Sequence, residues 1–326
     1  LKGIFSQVDE MRGKSKLALI VGGPPCQAYS LAGRSRDKGG MVGDKRNYLY
    51  KFYAEFLKHF KPKYFVFENV VGLASANDVD GTSHLTNMKA LFYEYGYSTE
   101  EKVLSVSDYG VLQNRRRMIL VGKLGKQQSN FYPELSTWRP KTTVREAFRD
   151  LPKIGAGEGE FRTCQLKGYR SGWLTEAKIR NGRSTTTLHQ ARPHTIQDLE
   201  VYRIAVDLWN REQRRLNYND LPNHLKTHKH RKGFFDRFKV VAADLPLSQT
   251  VVAHIAKDGH YYIHPDIEQN RSLTPREAAR LQTFPDDYYF ESITGRPSRT
   301  PAFRQIGNAV PVLFAQSIAE ALRDEW

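Results

Sequence analysis

The chain of 326 residues carries 50 lysines and arginines against 35 aspartates and glutamates, a formal charge of +15 with an isoelectric point near 9.7. A cationic excess of this size in a folded chain answers a polyanion, nucleic acid first, and the length suits about two domains. No apolar run approaches the roughly 18 to 20 residues of a membrane span. Two cysteines, Cys26 and Cys164, exclude a disulfide framework, and without a signal-peptide pattern a reducing, cytoplasmic setting is expected.

The opening "LKGIFSQVDE" lacks a methionine and reads as the interior of a longer sequence. Residues 17–23, "LALIVGG", are a short apolar run closed by glycines, which predicts a buried parallel strand. "GGPPCQAYS" follows, with Cys26 behind two prolines. A free thiol ionises near about pH 8.5, so a nucleophilic cysteine needs surroundings that favour the thiolate, such as a strand-end loop in a basic protein. An isolated cysteine more often fills space, but paired prolines fix the backbone and remove two N–H donors, which suits a presented nucleophile better than packing. "YLYKFYAEFLKHF" places Leu49, Phe52, Tyr53, Phe56, Leu57 and Phe60 at helical spacing. "KYFVFENVVG" predicts a second buried strand over 64–67 that stops at Glu68 and Asn69, completing a βαβ unit. A helix is expected around Leu85, Met88, Leu91, Phe92 and Tyr95, then strands near "KVLSVS" and "RMILVG" joined through "DYGVLQNRR".

In an open α/β sheet, functional side chains gather beyond the carboxyl ends of the strands. Cys26 and Glu68 sit at such ends. Arg115 and Arg117 open a strand that an antiparallel edge hairpin brings to the same rim, and alternation aims both at one face. A carboxyl group closing an apolar strand is partly desolvated, as a proton donor to a ring nitrogen requires; a strand-end carboxylate paired with a lysine is the plainer alternative. Guanidinium groups clamp a carbonyl oxygen or a phosphate. Together these groups suit thiol attack on an electrophilic ring such as a pyrimidine, with acid assistance at nitrogen and charge stabilisation at oxygen. The histidines of "HLKTHKH" have no cysteine nearby and irregular spacing, so no metal is expected.

From about residue 124 to 270 the chain turns rich in Arg, Lys, His, Asn and Gly with weak periodicity, which marks a second, smaller domain. In "NHLKTHKHRKGFFDRFK", Lys226, Lys229, Arg231, Lys232, Arg237 and Lys239 interleave with Phe234, Phe235 and Phe238. Such interleaving suits phosphate contacts with base or sugar packing, against the alternative of a solvated loop over a local aromatic core. "TVVAHIAKDGHYYIHPD" reads as a β-hairpin turning at Asp258 and Gly259. In "SLTPREAARLQTFP", Thr274, Pro275 and Glu277 form a capping box with proline at the first helical position. A last helix runs through "PVLFAQSIAEALRDEW" after a glycine turn at Gly307.

The strings "GGPPCQAYS", "ENV", "QNRRR", "RSLTPREAARLQTFP" and "QIGNAVP" stand in the order found in the C5-cytosine DNA methyltransferases, and from about residue 17 onward the chain closely resembles that family. The resemblance implies an α/β, Rossmann-like, S-adenosylmethionine-dependent methyltransferase domain with an inserted small target-recognition domain. On this chain the catalytic domain would span 1–123 and the recognition domain 124–270, and 271–326 would hold the end of the recognition domain and a C-terminal helix returning to the catalytic domain. It implies that Cys26 adds to cytosine C6 while Glu68 protonates or hydrogen-bonds N3, that Arg117 holds the cytosine O2 with Arg115 in support, and that Asn69 orients the glutamate loop. Gln27, Ser30 and the glycine-rich loop carrying Arg34 and Arg36 would close over duplex DNA around a flipped base. Pro24, Leu49 and Asn308 match positions that contact the cofactor. The family's glycine-bearing cofactor motif is absent ahead of the cysteine, so the cofactor site is expected to be incomplete unless another segment or chain supplies it. A monomer is expected, paired with a cognate restriction enzyme in defence. A silent DNA-binding relative, a subunit of a split enzyme and an RNA-directed enzyme are the other readings; the large insert favours duplex DNA.

Overall fold

In a computed structural model, which describes residues 1–25, 29, 41–168, 172–229, 234–295 and 298–324, the chain divides into two units. The first holds Leu1–Ser105 with Arg116–Glu134, and the second Val106–Arg115 with Leu135–Asp324.

In the first unit the apolar runs become strands β1 (Leu19–Gly22), β2 (Tyr64–Asn69), β3 (Tyr97–Ser105) and β4 (Arg116–Leu124), in the order β1-β2-β4-β3. β1 lies parallel to β2, while β2 and β3 are both antiparallel to β4, so the expected βαβ unit and the edge hairpin are present. Helix α1 (Lys2–Arg12) went unread in the sequence; its Phe5 ring packs on Phe56, His59 and Phe60 of α2 (Tyr50–Phe60). Helix α3 (His84–Glu94) is capped by the Ser83 hydroxyl. Tyr50, Ala54 and Leu57 of α2 and Met88 and Phe92 of α3 share one core with Phe65 and Phe67 of β2 and Leu120 of β4. β2 is buried along its apolar length, as four consecutive apolar residues predict, but β1 is not: Val21 is 66% exposed. Among the described residues β1 has a strand partner on one side alone, so its outer edge remains open.

The second unit is built from short elements. Strands β5 (Gly159–Glu160) and β6 (Cys164–Gln165) precede α4 (Gly172–Glu176), and β7 (Thr185–Thr186) and β8 (His189–Gln190) pair back on β6 and β5. Helix α5 (Ile196–Glu212) starts at a Thr195/Asp198 capping box and buries Val201, Tyr202, Ala205 and Val206, a narrow stripe amid charge. Helix α6 (Pro275–Leu281) carries the predicted Thr274/Glu277 capping box, and α7 (Arg299–Asn308) and α8 (Val312–Asp324) follow.

Two expectations change here. Gly307 makes no turn: it lies inside α7, where a Cβ would fall 2.2 Å from the Ala253 nitrogen, so the residue permits a close backbone approach. No hairpin strands flank Asp258 and Gly259; that stretch holds a 3-10 turn at Ala253–Ala256 and is fixed by side chains. Within the second unit Leu281, Ala302, Phe303 and Ile306 pack with Val144, Val241, Val251, Ile255 and Tyr262. Among the described residues no helix is long and apolar enough to cross a membrane.

Candidate active site

β1 and β2 run parallel, so their carboxyl ends open on one rim. At that rim Glu68 Oε1 lies 2.7 Å from Arg117 Nε, with the two side chains 19% and 12% exposed. The glutamate thus pairs with the arginine of the other predicted motif rather than with a lysine. A half-shielded pair of this kind holds the carboxylate in one orientation and leaves its second oxygen for another partner. That oxygen faces the chain leaving β1: a Cβ on Gly23 would come within 3.0 Å of Glu68 Oε2, so glycine lets the backbone pass the carboxylate.

Asn69 is buried, and its amide nitrogen donates to the Pro24 carbonyl at 3.3 Å while its oxygen accepts from the Val70 N–H at 2.9 Å. It therefore ties the end of β2 to the Pro24–Pro25 backbone that leads into Cys26. Cys26, Gln27, Ser30, Arg34 and Arg36 lie outside the described residues. Tyr29 is described: it is buried, its hydroxyl donates to the Asn47 carbonyl, its ring meets His84 edge-on, and burial raises its phenol well above the usual range. Its hydroxyl anchor had no sequence signal, since the partner is a backbone oxygen 18 residues on.

Arg115 departs from expectation. β4 begins at Arg116, so the alternation that put Arg115 and Arg117 on one face does not extend to it. Its side chain is buried in the second unit, where Nη1 donates to the Val251 carbonyl at 2.7 Å and Nη2 to the Ala309 carbonyl at 3.0 Å. Of the predicted cofactor contacts, Pro24 and Leu49 are partly buried in the first unit, and Asn308 is exposed at the end of α7 in the second.

In the basic stretch, Lys226 is partly buried and Lys229 exposed, while Arg231 and Lys232 lie outside the described residues. Two of its cations are used internally instead of reaching for phosphate. Arg237 pairs with Asp258, and the buried Lys239 ammonium lies 2.7 Å from Asp236 and 4.2 Å from the centre of the Tyr261 ring. Phe238 is buried and Phe234 stacks on His228 at 3.7 Å, so these aromatics are local core, and Phe235 is half exposed. Cys164 is a buried thiol that burial pushes up, as for a residue that fills space. Among the described residues no cluster of three His, Cys, Asp or Glu could hold a metal.

The comparisons agree on one family. A family model described as C-5 cytosine-specific DNA methylase matches residues 3–324. Type II methyltransferase M.Bpa9945I of Bacillus paralicheniformis is 45% identical over 323 residues, covering 94% of this chain and 70% of that protein. Type II methyltransferase M1.HphI of Haemophilus parahaemolyticus is 33% identical over 307 residues, covering 94% and 68%. Among solved structures, a protein assigned as a DNA modification methyltransferase encoded within an E. coli prophage superposes with a TM-score of 0.65 at 21% identity, covering 98% of this chain and 82% of that one. Entamoeba histolytica methyltransferase EhMeth follows with a TM-score of 0.52 at 14% identity, covering 98% and 80%.

Proposed function

The chain belongs to the C-5 cytosine-specific DNA methylase family, and from that premise we propose how its own residues divide the work of methylating cytosine in DNA. Cys26 adds as thiolate to C6 of a cytosine turned out of the duplex, Glu68 supplies the hydrogen bond or proton at N3, and Arg117 binds the O2 oxygen. Addition at C6 pushes electron density onto C5, which makes that carbon nucleophilic. The family is S-adenosylmethionine-dependent, and the cofactor when bound supplies the methyl group that C5 accepts. A base then takes the C5 proton, the ring regains its double bond, and Cys26 leaves as thiolate. The observation that carries this reading is the 2.7 Å Glu68–Arg117 pair beside the Gly23–Pro24 backbone. It supports a carboxylate oriented toward the segment that delivers the cysteine.

Pro24 and Leu49 in the first unit, and Asn308 in the second, are the candidate contacts for S-adenosylmethionine. DNA is the substrate; we propose that the chain acts as a monomer alongside a restriction enzyme of the same site, a partner that relatives named type II methyltransferases support.

The test is covalent trapping on duplex DNA carrying 5-fluorocytosine, where the fluorine blocks loss of the C5 substituent. With S-adenosylmethionine present, a denaturation-resistant adduct should map to Cys26, and Cys26→Ala should bind DNA without forming it. An adduct at Cys164, or turnover by Cys26→Ala near the unaltered level, would overturn the assignment.

A further inference from the structure

We propose that Gln113 and Gln282 are positioning residues for methyl transfer, holding the segment around Val251 and the turn after Asn308 as one piece. The inference rests on the reading of the chain as a DNA methyltransferase in which Asn308 faces the cofactor.

Gln282 caps the end of α6 and is fully buried. Its amide nitrogen donates to the carbonyls of Ile306 at 2.7 Å and Ala309 at 3.1 Å, and its oxygen accepts from Gln113 Nε2 at 3.0 Å. Gln113, equally buried, donates from the same nitrogen to the Leu281 carbonyl at 3.1 Å and accepts the Val251 N–H on its oxygen at 3.0 Å. Arg115 closes the circuit, since its guanidinium binds the carbonyls of both Val251 and Ala309. A ring of five hydrogen bonds therefore runs from Val251 through Gln113, Gln282, Ala309 and Arg115 back to Val251. Its direction is fixed by the partners, because backbone carbonyls can only accept and the Val251 N–H can only donate.

What this buried ring holds is surface. Val252 is 39% exposed and Asn308 is exposed, one residue beyond Val251 and one before Ala309. Gly307 lets α7 lie directly on Val252 and Ala253, so the two segments are in contact as well as bonded. Four stretches distant in sequence are thereby locked, and three of them present side chains to solvent, at Asn114, Val252 and Asn308. Neither glutamine has the charge or the position to do chemistry; each acts through the residues it fixes, and small errors in such placement cost catalysis steeply.

The experiment compares the full chain with Gln113→Leu, Gln282→Leu and Gln113→Glu. The last keeps an acceptor for the Val251 N–H but loses the amide donors. Melting temperature, hydrogen exchange of peptides covering 248–252 and 306–311, and methyl transfer from S-adenosylmethionine to unmethylated genomic DNA are measured on each. The leucine variants should melt cooperatively, exchange faster in those two peptides selectively, and raise the KM for S-adenosylmethionine by about tenfold, with Gln113→Glu in between. Unchanged exchange or unchanged KM overturns the proposal, and so does exchange that rises evenly across the chain, which would mark the glutamines as general core. Should the unaltered protein transfer no methyl groups, the functional reading fails alone, and the selectivity of exchange still decides whether the ring locks the two segments.

Discussion

Arg117 and Glu68 meet diagonally across the β2–β4 ladder, on either side of the Asn69–Met118 pairing, so each reaches the other only because the strands are in register. Replacing Arg117 by alanine removes the proposed O2 ligand and frees the carboxylate to turn, and transfer should fall about 100-fold or more. Glu68→Gln keeps the shape and some of the hydrogen bonding but loses the proposed proton donor, and a similar fall is expected. If the two act as one unit, the double variant should lose little beyond either single one in kcat/KM; a product of the two losses would show independent roles. The sequence placed both residues at strand ends, a carboxylate ending an apolar run and an arginine opening another, while their roles came from the resemblance to the family. Their pairing was not legible in the sequence, because it depends on register between strands 50 residues apart. The same holds for Arg115, whose guanidinium finds carbonyls at Val251 and Ala309 that no local pattern announces.

At the scale of elements, α7 shows what composition hides. Gly307 looks like a helix stop, but it sits where the Val252–Ala253 backbone crosses the helix. Gly307→Ala would force a methyl group to within 2.3 Å of the Val252 carbonyl carbon, so the two segments must separate. Overpacking of this kind costs about 1–3 kcal/mol. The expected outcome is a lower melting temperature together with slower transfer, and an unchanged melting curve would show that the crossing yields freely. The strands and helices of the first unit could be read from apolar spacing because their buried faces repeat. α5 could not, since four buried residues in 17 are swamped by charge, and the two-residue strands β5 to β8 are too short to show any period. The hairpin expected at Asp258 and Gly259 failed for a related reason: that stretch is pinned by Arg237–Asp258 and by Tyr262 hydroxyl contacts to Thr250 and Val252, not by a ladder.

For the molecule as a whole, the charge of +15 predicts steep salt dependence. If several cations meet phosphates, DNA affinity should fall by about a hundredfold or more between 50 and 200 mM salt, and a flat response in a binding titration would refute that. Stability should depend on acid as well. His264 is held down to about 3 by burial and by Arg271, and His194 to about 4 by burial and by Arg192. Both imidazoles stay neutral in the fold, so below about pH 6.5 the unfolded chain binds more protons, and stability present at neutral pH is lost progressively toward pH 4. A melting temperature at least about 5 °C lower at pH 5 than at pH 7.5 is expected, with His194→Asn flattening the difference; pH-independent melting would contradict it.

The arginines of α6 and its approach carry a last consequence, for anyone hoping to exchange recognition segments between relatives. Arg271, Arg276 and Arg280 are buried, and their guanidinium groups bind the Ile154 carbonyl, the Thr187 carbonyl and hydroxyl, and the Asp150 carboxylate with the Ala147 carbonyl. A chimera joined at residue 270 would keep the three cations with Glu277 and Asp286 but discard the Asp150 carboxylate and the acceptors at Ala147, Ile154 and Thr187, leaving part of their hydrogen bonding unmet where water cannot reach. Such grafts should come out insoluble unless the transplanted segment brings equivalent acceptors, whatever DNA sequence it reads.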